Sequence, residues 1–126
     1  MAIIAACVLA WLFVQGAGAG LPLAASVCNY GLIAGELLGT VPAGTEWHMG
    51  DGLVCVVDPG PELRNVFTHM FLHGSWMHLL GNMWFLWLFG NNIEDSMSRP
   101  RYVIFYLGCG LAAAALQVWA DTDSYI

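Results

Sequence analysis

Between Arg64 and Glu94 the chain carries no Asp, Glu, Lys or Arg, and the same holds from Met1 to Gly35 and from Tyr102 to Ala120. A bilayer's hydrocarbon core is about 30 Å thick and takes roughly 20 apolar residues to cross as a helix. Each charge-free run is long enough to supply one span. Of the 126 residues, 59% are hydrophobic and 10% charged, where soluble domains carry about 25% charge. A soluble core of this size cannot bury so much apolar surface. The expectation is an all-α membrane protein with three transmembrane helices, at about 2–19, 70–90 and 102–120.

The charge balance excludes several functions. A net charge of −6 with three basic residues offers no basic patch for nucleic acid and little attraction to anionic lipid surfaces. No Gly-rich phosphate loop or dinucleotide fingerprint is present. A cleaved signal peptide is disfavoured for the first run, which lacks a basic flank and continues apolar to Ala25. The first run ends in Gln15-Gly-Ala-Gly-Ala-Gly20, which reads equally as a site of close helix approach or as a fraying helix end.

Residues 20–69 form a long connection punctuated by Pro42, Pro59 and Pro61 and carrying the acids Glu36, Glu46, Asp51, Asp58 and Glu62. Its apolar stretches argue against disorder. It is expected to fold against the membrane surface, with Cys28 to Leu38 as a short interfacial helix. Cys28 and Cys55 both fall in it. A disulfide is chemically permitted there, but burial as two small apolar residues is the favoured reading. No Cys-x-x-Cys pair supports a zinc ribbon or redox motif. Arg99 and Arg101 stand in the short turn between the second and third spans, which predicts a cytoplasmic turn. The long connection and the Asp121–Asp123 end then face outward, as in a plasma or bacterial-type inner membrane.

The second run is polar where lipid would forbid it. His69, His73, His78 and Asn82 interrupt an otherwise apolar sequence. His78 and Asn82 are four apart and share one helix face. Gly74 and Gly81 flank that face, and Phe85 and Phe89 continue it. The opposite side, Trp76, Leu80, Trp84, Trp87 and Leu88, is bulky and apolar, as a lipid-facing surface is. With the span ending near Asn91, Asn82 lies about 13–14 Å up the helix and His78 about 6 Å further out, at roughly 1.5 Å per residue. Intramembrane polar groups are functional candidates by default. Metal binding by the histidines is disfavoured, because no carboxylate or thiolate joins them and Asn is a poor transition-metal ligand. Hydrogen bonding between helices is one remaining use. Stabilising a developing oxyanion is the other, since a neutral His and an Asn amide are both donors.

At these residues the sequence resembles a known family. Phe67-Thr-His-Met-Phe-Leu-His73-Gly-Ser-Trp-Met-His78-Leu-Leu-Gly-Asn82 and the following Phe89-Gly90 and Glu94 resemble the second transmembrane helix of the rhomboid intramembrane serine proteases. Arg101 to Leu111 resembles the start of the third. The resemblance implies a polytopic helical bundle with a long outward loop, of which residues 1–126 form the N-terminal part. It implies that His78 and Asn82 stabilise the oxyanion. His73, Arg64 and Glu94 take supporting roles: His73 holds the loop above the site, Arg64 serves that loop, and Glu94 anchors the cytoplasmic helix end beside Arg99 and Arg101. His69 matches a less demanding position near the membrane surface.

The departures are specific. Arg64-Asn65 stands where the family usually has Trp-Arg. The Gly-x-Ser-Gly nucleophile motif and the base histidine, which the family carries beyond the third helix, are absent from this sequence. Ser75 is a poor substitute, because a Ser at a helix start normally caps it. The implied activity is cleavage of transmembrane protein substrates in the bilayer, without metal or cofactor, by a complete protein of which these residues alone are inert. The alternative is a catalytically inactive scaffold on the same fold that binds client membrane proteins.

Overall fold

The structure is a computed structural model that describes residues 1–50 and 52–122. The expectations for Asp51, for Asp123 and for the Ser124-Tyr-Ile126 end fall outside the described residues.

Helix α1 runs over Ala2–Leu9 and continues as a wider, π-helical turn over Ala10–Val14. Helices α2 (Gly20–Tyr30) and α3 (Ala34–Leu38) follow. A hairpin of β1 (Glu46–His48) and β2 (Val54–Val56) comes next, then the short α4 (Asn65–Thr68). Helix α5 (Trp76–Phe85) passes through a π-helical turn at Leu86–Gly90 into α6 (Asn91–Met97). The backbone stays helical through both junctions, so the three segments make one rod about 33 Å long at about 1.5 Å per residue. Helix α7 (Arg99–Ala120) returns beside it, with Pro100 in its first turn, where a missing N–H costs nothing.

Among the described residues two stretches are long and apolar enough to cross a membrane, Gly20–Leu38 and Arg99–Ala120, and the expected second span at about 70–90 is not one of them. The expected first span, about 2–19, is not one helix. It stops at Val14, and the chain reverses through Gly16, Ala17 and Gly18, all with positive φ. The reversal is tight: a Cβ on Gly18 would stand 2.7 Å from the Trp11 ring. The Gly/Ala run is therefore both a helix end and a close approach. The expected interfacial helix at Cys28–Leu38 is also redrawn. Helix α2 starts at Gly20, and extended backbone at Gly31 and Ile33 separates it from α3. The helical part of the second span begins at Trp76 rather than near residue 70, because Leu72 to Ser75 are not helical.

Two cores hold the chain together. In the helical layer Ile3, Cys7 and Trp11 of α1 pack with Leu79 of α5 and Tyr102 of α7. Helix α7 also approaches the loop ahead of α5 closely. A Cβ on Gly110 would sit 2.5 Å from the Met70 sulfur, so only hydrogen fits without moving Met70. In the outer layer Ile33, Trp47, Cys55 and Val57 form a second core. The hairpin register pairs Trp47 with Cys55 and turns both inward. That register presents Cys55 to Cys28 at the end of α2, and the two form a disulfide with a Cα–Cα distance of 5.8 Å. The favoured reading of two separate buried thiols is overturned. Closing a loop of 27 residues is worth about 3–4 kcal/mol in the chain-entropy picture.

Candidate active site

Ser75 opens α5. Its backbone is extended, and its Oγ accepts a hydrogen bond from the His78 backbone N–H at 3.1 Å. This is helix capping, the use expected of it. The cap fixes where the helix begins and therefore which way His78 points. One turn on, Asn82 follows on the same face.

That face looks across a groove at α7. Two adjoining cavities, of about 450 and 390 Å3, share Met70, His73, Asn82, Tyr106 and Cys109 in their walls. The first also takes in His78. The second continues past Phe85 and Phe89 to Gly90. The Phe85 and Phe89 rings meet at a tilt of 42° with centroids 4.7 Å apart. His78 and Asn82 are both exposed to the groove. The His78 Nδ1 accepts a long hydrogen bond, 3.5 Å, from the Gly74 N–H. In the tautomer that accepts at Nδ1, the ring proton is on Nε2, which is then a donor. The Asn82 amide has no hydrogen bond among the described residues. The groove therefore presents two unspent donors about 6 Å apart along the axis, at about 1.5 Å per residue.

His73 is built in differently. It is buried, at 3% exposure, in the turn ahead of α5. Its backbone is held at both ends by one side chain: the Gln15 Nε2 donates to the His73 carbonyl at 2.7 Å, and the His73 N–H donates to the Gln15 Oε1 at 2.8 Å. Gln15 is itself fully buried where α1 ends. The His73 ring meets the His78 ring edge-on, centroids 5.4 Å apart. Gln15 thus reaches the candidate pair through two contacts. Sequence reasoning passed over it, although a lone amide closing an apolar helix was a signal, because such a group needs a partner.

The other expected site residues fall elsewhere. The His69 Nδ1 pairs with the Asn65 carbonyl at 2.9 Å, and the ring borders the upper cavity. Arg64 does not line the groove. It binds Glu62 at 2.7 Å and lies over the Tyr30 ring at 5.8 Å, and that Glu62 bond raises its pKa further. Glu94, at the far end of the rod, takes the Met1 ammonium at 2.9 Å and Arg99 at 3.9 Å. Arg101 makes no ion pair among the described residues. Of the side expected to be bulky and outward, Leu80, Trp84, Trp87 and Leu88 are exposed. Trp76 is half-exposed as well, and its ring also edges onto Trp11 at 5.3 Å.

Residues 60–126 match the family model of the Rhomboid domain. No curated protein and no solved structure matches the chain.

Proposed function

The chain belongs to the rhomboid family of membrane proteins, which in general are serine proteases, and on that premise we propose that His78 and Asn82 stabilise the oxyanion of an intramembrane serine endopeptidase. The substrates are transmembrane segments of other proteins. A serine hydroxyl attacks the scissile carbonyl carbon while a base histidine takes its proton. Both groups come from helices that follow the third span in the complete protein. The carbonyl oxygen, now negative, accepts hydrogen bonds from the His78 Nε2–H and the Asn82 amide. A donor of this kind contributes about 10²–10³ in rate. The protein is multi-pass, and residues 20–69 face outward, so water reaches the groove from that side.

One observation carries the reading. His78 and Asn82, the two side chains whose groups can donate to an oxyanion, line one groove between α5 and α7. The test is cleavage of a single-span model substrate by the complete protein in liposomes. Cleavage at one bond, blocked by a serine-directed phosphonate, is the expected result. Substrate that binds without being cut would favour the inactive scaffold instead.

A further inference from the structure

In the outer layer three carboxylates converge from three segments. Glu36 of α3, Asp58 just after β2 and Glu62 just ahead of α4 each place an oxygen within 4.8 Å of the other two. Glu36 is buried, Glu62 half-buried and Asp58 exposed. Like charges this close repel. Burial first, then Asp58 and Glu62, raise the Glu36 carboxyl. Arg64 and a hydrogen bond that the Glu36 carboxylate accepts from the Asp58 backbone N–H compensate only in part. The Arg64 Nε and terminal nitrogen both engage the same oxygen of Glu62, Oε2, at 2.9 and 2.7 Å. The Glu62 Oε1 stays open.

A second, independent feature points at the same place. Asn65 shares a narrow cavity with Glu36 and Glu62. Its side chain is 4% exposed, and its Oδ1 is sheltered with no hydrogen-bond partner among the described residues. The backbone holds it there: the Asn65 N–H donates to the Glu62 carbonyl at 2.9 Å, and the Asn65 carbonyl accepts from His69 at 2.9 Å. An orphaned buried carbonyl calls for an explanation, and water would supply a donor but no charge. A cation answers both the orphan oxygen and the uncompensated carboxylates.

We propose that Glu36, Asp58, Glu62 and the Asn65 side-chain carbonyl form a calcium site that joins α3, the end of the hairpin and the start of α4. The donors are all oxygen, which suits a hard cation. Calcium takes oxygens at about 2.3–2.6 Å, so ligands on opposite sides stand up to about 5 Å apart; magnesium, at about 2.0–2.1 Å, draws them to about 4 Å. All three carboxylate oxygens lie within 4.8 Å of one another, inside the reach of a calcium shell. Exposure at Asp58 leaves room for water ligands. A partly open site of this kind falls in the range of about 10⁻⁴–10⁻³ M seen in extracellular modules. The proposal does not rest on the proteolytic reading, because none of these residues lines the groove.

The test is calorimetric titration of the complete protein in detergent micelles with calcium chloride, repeated with magnesium chloride. Wild type is expected to take up one calcium saturably and magnesium at least about tenfold more weakly. Asp58→Asn, an exposed change that leaves the fold intact by circular dichroism, is expected to weaken calcium at least about tenfold. Asn65→Ala is expected to weaken it as well. Absence of saturable uptake, equal binding of magnesium, or unchanged affinity in Asp58→Asn overturns the proposal.

Discussion

In the outer layer the large apolar side chains Trp47, Val57 and Ile33 turn inward around Cys55, and a disulfide ties that core to α2. In the helical layer the core is also small, Ile3, Cys7, Trp11, Leu79 and Tyr102. There, however, Phe13, Met77, Ile104 and Trp119 stand 70–80% exposed. The first layer buries its largest apolar side chains as a water-facing core does, with Glu36 and Asn65 buried beside them and Leu63 66% exposed. The second obeys the rule for lipid, where exposed apolar surface carries no penalty and buried polar contacts must be satisfied one by one. Polar groups therefore mean different things in the two layers. Outside, Glu46 and Asp58 are exposed, as solvated acids are. Among the helices, Gln15 is completely paired, whereas His78 and Asn82 face the groove.

Three substitutions sharpen that contrast. The largest effect on stability is expected at Gln15. Gln15→Ala orphans the His73 N–H and carbonyl, at about 1–3 kcal/mol each, for a total of about 4 kcal/mol. Denaturation of the complete protein in mild detergent reads it, and a loss under 1 kcal/mol would mean the clamp is not made. Next comes the outer layer. Cys55→Ser removes the cross-link and is expected to cost about 3 kcal/mol. Proteolytic nicking in residues 39–64 is expected to rise while α5 to α7 stay protected in amide exchange. Loss of protection in both layers together would show that they fold as one unit. The smallest is Ser75→Ala, which removes the α5 cap at about 1 kcal/mol. It is expected to raise exchange at the first turn of α5 only, and a uniform rise along the helix would contradict the capping role.

What could be read from the sequence follows the range of the interactions. His78 and Asn82 share a face because a helix repeats every 3.6 residues, a local fact, and the structure puts both on one groove. The end of the third helix was legible because Asp121 closes a charge-free run; its start was drawn three residues late, since Arg99 and Arg101 lie in the helix and not in a turn. The Gln15 clamp joins residues 58 apart, and no local pattern announces it. The disulfide was misjudged because nothing local in the sequence shows that Cys28 and Cys55 meet. What aims Cys55 at Cys28 is the pairing of β1 with β2, which a three-residue strand barely signals. The first helix was drawn too long because hydropathy scores Gly and Ala as apolar. It is blind to the left-handed backbone at Gly16 to Gly18 that ends the helix.

The central claim is that His78 and Asn82 are chemical rather than structural. The direct measurement is kcat for a single-span substrate beside the thermal midpoint, on the complete protein, for Asn82→Ala and His78→Ala. The account predicts that kcat falls about 10²–10³-fold in each, with KM and the midpoint little changed, because neither side chain spends its donors on the fold. A lowered midpoint with kcat near wild type would contradict it and return the pair to the role of packing contacts.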